Sequence, residues 1–545
     1  MESDRPNDLR HLADFDVSRR MLLIAAFALP IGVLSACVSW VLLRLIGLIT
    51  NLVFYERLGT ALVAPGSGHH SPLLILLAPV CGGLVIGVVA RFGSEKIRGH
   101  GIPEAIESIL VSGSRIQPRV ALLKPLASAI AIGTGGPFGA EGPIIMTGGA
   151  FGSISAQFLH LSADERKTLL VCGAAAGMAA TFNAPLASVL LAVELLLFEW
   201  RPRSFVPVAA AVAVATMVRV PLLGSSAVFP APTGALHLDA AAYGLCVVAG
   251  ALAGLLALVA TALVYLSEDA FMRLPVHWMW WPAIGGLVVG LGGLVVPEAL
   301  GVGYNVIEAE LNGSIALDLI VGILIVKTMI WSFSLGSGTS GGVLAPMLMI
   351  GGALGGLEAQ VFPHVAAGFW PLVGLAGVLG GVMRSPLTGV VFALELTHRY
   401  EALLPLLIGA TAAYAISVLV LRRSVLTEKV ARRGIHLSRE YSIDPLEVLF
   451  VGDVMTEQRR DEEDMRPTVF ADDTLRHVAY VMAESGHTAL PVARREEPRS
   501  VVGWVGLEQL LAGRLRDLDE ERHRTRVLRP LELIGFGRTA RTGET

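Results

Sequence analysis

Charged side chains are scarce in this chain. Only 16% of the 545 residues are Asp, Glu, Lys or Arg, against a hydrophobic share of 53% and a mean hydropathy of +0.64. A soluble domain carries roughly 25% charged residues, so an ordinary water-soluble protein is excluded. The net charge of −4 is unremarkable and no basic stripe is present, which excludes a nucleic-acid partner. Cysteine is rarer still. Cys37, Cys81, Cys172 and Cys246 all lie in apolar segments without CxxC spacing, and read as inert buried thiols with no metal-ligand pattern. A catalytic constellation is missing as well: Ser337 and Ser340 have no histidine motif beside them, so the chain does not read as an enzyme. A sensor built on the charged C-terminal part would leave the long apolar region without a role. What remains is a polytopic helical membrane protein with a small soluble piece.

Glycine and proline, by contrast, are abundant and ordered. Gly133 to Gly152 reads GTGGPFGAEGPIIMTGGAFG, with a single carboxylate at Glu141. The pattern implies a broken helix whose loop lies at membrane depth, buried in protein or lining a watery cavity. Helical pattern resumes at Pro143, and proline suits a first helical turn. Free N–H groups and the positive end of a helix dipole therefore lie beside Glu141, a setting that attracts anions. The stretch has a partner in GSGTSGGVLAPMLMIGGALG, Gly336 to Gly355, at a shift of 203 (346 − 143), which places Pro346 on Pro143. FNAPLASVLLAVELL (Phe182 to Leu196) is likewise repeated as MRSPLTGVVFALELT (Met383 to Thr397), with Glu395 on Glu194 at a shift of 201. Gly/Pro-interrupted segments in corresponding positions of two halves point to a transport site between repeats.

Along the chain, residues 1–20 are polar, with Arg19-Arg20 just before the first apolar run, and read as a cytoplasmic segment. That run, Met21 to Ile49, is too long for a cleaved signal. Pro72–Ala90 follows, and then Gly99-His100-Gly101-Ile102-Pro103, a second glycine turn running into a proline-initiated helix. Helical runs fill Val120–Ala131, Ile144–Leu159, Lys167–Ala180, Ala184–Phe198 and Val206–Leu223. After a Pro/Gly/Ser-rich loop, Gly224–Gly234, come Ala240–Leu266, Met279–Val296, Ala316–Phe333, Val343–Val361, Leu372–Val382, Leu387–Thr397 and Leu403–Leu421. Several fall short of the ~20 residues that cross hydrocarbon.

Four motifs in order, GHGIP (99–103), GAEGP (139–143), FNAPLA (182–187) and GVLAP (342–346), resemble those of the CLC family of chloride channels and proton-coupled anion antiporters. The resemblance covers about residues 20–435. It implies an all-α polytopic membrane fold, residues 21–435, made of two antiparallel repeats (about 21–223 and 235–435) of short, tilted, broken helices. It further implies a homodimer in the inner or plasma membrane, with both termini cytoplasmic, chloride as substrate, protons as a second one and no cofactor. Glu141 falls on the family's gating and proton-binding glutamate. The anion-binding positions carried over are Gly99, His100, Gly101, Ile102, Pro103, Gly139, Ala140, Gly142, Gly342, Val343, Leu344 and Leu426. Lys124 matches a lysine near the pathway.

The departures bear on mechanism. His100 stands where the family has serine or proline, and Leu426 where it has an anion-coordinating tyrosine. Leu195 replaces the internal proton-relay glutamate of antiporters, and Ile106 replaces a second acidic residue near it. Glu194, Glu199 (four residues beyond Leu195) and Lys124 are the candidates for another proton route. The expectation is a channel-like or loosely proton-coupled anion pathway gated by Glu141. The alternative is a tightly coupled chloride/proton antiporter with a non-standard inner route. His100 is expected to donate to the anion and to add pH dependence near the ordinary imidazole pKa of ~6.5.

Beyond Arg432-Arg433 the chain turns charged. Residues 445–530 resemble a single CBS module, with a helix at Thr474–Ser485 and strands at Ala489–Val492 and Val501–Val505. Gly506 and Gln509 stand where the nucleotide-contacting Thr and Asp would be, which argues against an adenosine nucleotide there. Residues 531–545 are expected to be a disordered tail.

Overall fold

The computed structural model describes residues 19–435, apart from 160, 233–235 and 237, and further on residues 446, 449–456, 467–512 and 515. The expectations for residues 1–18 and for 531–545 lie outside the described residues. The chain divides into two compact units, one within Val17–Arg439 and one in the residues that follow.

The larger unit is helical throughout. Its first half comprises α1 (Arg20–Tyr55), α2 (Pro72–Phe92), α3 (Ile102–Leu110), α4 (Pro118–Gly133), α5 (Glu141–Gln157), α6 (Ala163–Phe182), α7 (Pro185–Leu191, continued by a π-helical turn Ala192–Leu197) and α8 (Pro202–Leu223). The second half comprises α9 (Ala240–Met272), α10 (Trp281–Val295), α11 (Tyr304–Leu311), α12 (Leu317–Gly322), a π-helical turn Ile323–Lys327, α13 (Thr328–Gly336), α14 (Leu344–Glu358), α15 (Phe369–Met383), α16 (Pro386–Thr397) and α17 (Leu403–Val420), and α18 (Val425–Arg432) closes the unit. Among the described residues, seven helical segments are long and apolar enough to cross a membrane, while α14, α15 and α16 are shorter apolar helices. Large apolar side chains such as Leu22, Leu73, Leu122 and Leu419 are exposed, as expected where hydrocarbon is the solvent.

The repeat foreseen at two motifs extends over the whole unit. α5 packs on α6 as α14 packs on α15, and α1 packs on α8 as α9 packs on α17. Even backbone exceptions recur: the left-handed residues Asn183 and Phe198 in the first half answer to Arg384 and His398 in the second. Glu194 and Glu395 join the halves. Glu395 accepts the N–H groups of Leu186 (3.0 Å) and Ala187 (2.8 Å) at the start of α7, and Glu194 accepts from Thr388 N–H (3.0 Å) and Thr388 Oγ1 (2.5 Å) at the start of α16. Each glutamate thus caps the repeat-related helix of the other half, supplying partners for N–H groups that helix geometry leaves free.

Some expectations need correction. Two helices, α11 and α18, stand where no helix was read. Both are eight residues long and polar in part, too short to show a clear period. Cys172 and Cys246 are buried as expected, but Cys37 and Cys81 are exposed on α1 and α2.

In the C-terminal unit, β1 (Val469–Phe470) pairs in parallel with β2 (Ala489–Arg494), which pairs antiparallel with β3 (Glu497–Gly506). The helix Leu475–Ser485, capped by Thr474, packs against this sheet through Leu475, Val478 and Met482. The helix lies where the sequence placed it, and both longer strands cover the expected ones, β2 running two residues further and β3 starting four residues earlier. Gln509 accepts the Gly506 N–H (2.9 Å) and so holds the turn after β3.

Candidate functional site

Three glycine turns meet at one point in the larger unit. Gly139 and Gly342, just ahead of α5 and α14, form an isolated antiparallel bridge, with the Gly342 N–H donating to Gly139 O at 2.9 Å and the Gly139 N–H to Gly342 O at 3.5 Å. Gly101, at φ +92°, caps α3 so close to Gly142 that a Cβ on it would lie 2.3 Å from Gly142 O. A Cβ on Gly142 would lie 1.7 Å from His100 O and 3.3 Å from Gly342 Cα. Only glycine permits such approach of backbone to backbone. The N-termini of α3, α5 and α14, carrying Pro103, Pro143 and Pro346, therefore converge as the repeat predicts. Each brings N–H groups without intrahelical partners.

Glu141 sits at this junction, wholly buried. Its Oε1 accepts the Ala345 N–H at 3.0 Å, while Oε2 is buried without a hydrogen-bond partner among the described residues. A carboxylate thus occupies the start of α14, held by one side only. Ala345 was missed from sequence; it adjoins Val343 and Leu344, the expected donors.

Other expected residues take structural tasks. The N–H groups of Gly139 and Gly342 each donate to the other's carbonyl, and that of Gly101 donates to Glu104 Oε2 at 2.8 Å. These glycines shape the site without offering those donors to an anion. Lys124 is buried and donates to Ile97 O (2.8 Å) and Gly99 O (2.6 Å), which fixes the turn that begins α3. Glu194 is the helix cap described above. Glu199 does not share a face with Leu195, because the π turn ends at Leu197 and Phe198 is left-handed. Instead it accepts from Ser204 Oγ (2.6 Å) and lies within 3.9 Å of Lys167 and 3.7 Å of Arg201.

Below the junction opens a cavity of about 460 Å³ whose walls include Arg98, His100, Glu104, Tyr265, Lys429 and Arg433, and which reaches Met146 on α5. Glu104 ties its α3 wall to α18 through Lys429 and Arg433, both at 3.3 Å. His100 is buried, with Nδ1 unpartnered among the described residues. Burial, reinforced by Lys429, Lys124 and Arg433 against the single carboxylate of Glu104, holds its imidazole well below the usual histidine range. It is a neutral group at the cavity wall, so the expected pH response near 6.5 is not supported. Leu426 is buried in the first turn of α18. A tyrosine reaches this spot from another helix: Tyr265 of α9 donates its hydroxyl to the carbonyl of Val425. This contact was not legible in the sequence, since α9 and α18 are distant in the chain.

Helix N-termini aimed at a buried, half-held carboxylate, within a doubled set of membrane helices, define an anion-transport protein of the membrane. The family model described as voltage gated chloride channel matches residues 81–418, and the chain belongs to that family, the CLC proteins. It is 31% identical over 438 residues to the H(+)/Cl(-) exchange transporter ClcA of Salmonella paratyphi B, the match covering 75% of this chain and 88% of that relative. The ClcA of Salmonella newport matches to the same extent. In fold, the chain resembles a slow cyanobacterial Cl-/H+ antiporter (TM-score 0.65, 21% identity, 76% of this chain and 98% of that one). It also resembles a CLC-type fluoride/proton antiporter (TM-score 0.63, 19% identity, 74% and 97%).

Proposed function

We propose that this protein exchanges chloride for protons across the membrane, with Glu141 both closing the anion path and carrying the proton. The observation that carries this reading is the asymmetric hold on Glu141: one oxygen on the Ala345 N–H, the other buried and unpartnered. An anion competing for the N-terminus of α14 displaces the carboxylate, and a displaced carboxylate surrounded by apolar sequence takes up a proton. The curated relatives are named as exchangers, which favours the coupled alternative over the channel-like expectation.

The replaced relay positions, Leu195 and Ile106, are fully buried in the apolar core, and neither can carry a proton. The cavity supplies the inner route instead. It reaches Met146, five residues or about 7.5 Å along α5 from Glu141, and water within it moves protons to the carboxylate. Cations at its walls, Arg98, Lys429 and Arg433, draw anions toward the same junction. The protein works as a homodimer with one such path per subunit.

Purified protein in liposomes under a chloride gradient, with external pH recorded, tests the reading. Protons moving against chloride support it; chloride movement without protons overturns it. In Glu141→Gln, proton movement falls to background while chloride flux stays within about threefold of the parent.

A further inference from the structure

One face of α14 carries more than Glu141. The Glu141 carboxylate sits on the N–H of Ala345. One turn on, a Cβ on Gly303 would lie 2.5 Å from Met349 Sδ and 3.7 Å from the Lys327 ammonium, so Lys327 lies near Met349. Less than one turn further, a Cβ on Gly352 would lie 2.1 Å from Glu310 Oε2. Residues 345, 349 and 352 share a helical face and span about 10.5 Å. Glu141, Lys327 and Glu310 are therefore strung along it, and Lys327 interacts electrostatically with both carboxylates.

Glu310 is wholly buried and neither oxygen has a hydrogen-bond partner among the described residues. Among the described residues, Lys327 is the charged group that acts on it. α15 has no titratable side chain, and α14 has only Glu358 at its far end. Tyr304 on α11 is half-buried and interacts electrostatically with Glu141. Among the described residues Lys327 is thus the one cation that faces both buried carboxylates, and it balances only one of them.

We propose that Glu310 is a proton-holding station that exchanges its proton with Glu141, Lys327 serving as the shared counter-charge. With Glu141 ionised on Ala345, Glu310 carries the proton. When the proton leaves the Glu310 carboxyl for the Glu141 carboxylate, Glu310 becomes the anion that Lys327 balances, and the net charge of the trio is unchanged. Glu141 is then uncharged and free to leave the start of α14. Because α11 is the repeat mate of α3 (304 − 102 = 202), the inverted repeat puts Glu310 on the opposite face from the cavity, where it loads protons from the other side.

The inference rests on the exchange reading, and its test separates the two. Chloride and proton fluxes are recorded together in liposomes holding the full-length parent, Glu310→Gln or Glu141→Gln. A parent that moves no protons sinks the exchange reading itself. With exchange established, Glu310→Gln lowers protons per chloride by about fivefold or more, the lower range of ordinary coupling, while chloride flux persists. An unchanged ratio overturns the station. A second measurement needs neither transport nor the folding of Glu310→Gln. Infrared titration of the Glu141→Gln/Glu358→Gln protein retains a buried carboxyl that changes protonation if Glu310 is the station; its absence overturns the proposal.

Discussion

Lys124 and Lys327, 203 positions apart (327 − 124), hold equivalent turns in the two halves. Lys124 donates to Ile97 O and Gly99 O ahead of α3, and Lys327 to Ala299 O (2.9 Å) and Gly301 O (2.7 Å) ahead of α11. Both ammonium groups are wholly buried, a costly arrangement that persists only when each charge is well solvated by protein oxygens.

Replacing Lys327 by Met keeps the length of the side chain and removes its donors. Two carbonyls lose their partner and the nearby carboxylates lose their counter-charge. The expected cost is about 3 kcal/mol or more, read as a lower unfolding temperature in detergent. Lys124→Met shifts the temperature in the same direction.

The cross-caps predict a smaller loss. Glu395→Ala frees the N–H groups of Leu186 and Ala187 and costs about 1–2 kcal/mol. Glu194→Ala frees Thr388 in the same way. Thermal unfolding of the two single variants and the double checks both values. The losses add if the caps act independently.

Gly142→Ala tests the convergence of helix ends. The added methyl meets His100 O at 1.7 Å, so the turns of α3 and α5 must separate. Chloride flux falls by about tenfold or more, because the N–H groups no longer share one focus. Gly434→Ala, at a left-handed turn with nothing within 4 Å, is the control for backbone strain alone and leaves flux near that of the parent.

His100 carries a prediction about pH. Its imidazole is held below the usual histidine range, so it stays neutral from about pH 5.5 to 7.5. His100→Ser therefore leaves the shape of the flux–pH profile unchanged in that window. A profile that flattens on substitution shows that the imidazole titrates there.

The sequence was most informative where backbone geometry dictates the residue. Gly101, Gly139, Gly142 and Gly342 are glycine because chains touch there, and prolines mark the helix starts, so the meeting of three helix ends was readable from motif and spacing. Glu141 was readable as the lone carboxylate among them. Glu310 and Lys327 were not, although the same shift of 203 links Lys327 to Lys124. α11 is short and partly polar, and nothing in YNVIEAEL shows that Glu310 will be buried. The π turn after α7 was equally hidden, and with it the reason Glu199 leaves the face of Leu195. Tyr265 near Val425 is a purely tertiary encounter.

The reciprocal caps have a consequence for how the chain can be divided. α7 completes its first turn only with an oxygen from Glu395, and α16 only with one from Glu194. Each half standing alone therefore leaves first-turn N–H groups of its α7 or α16 without these partners. A chain severed in the linker between Leu223 and Ala240 is expected to yield fragments that are more stable co-expressed than alone, because only together do they restore the cross-half caps.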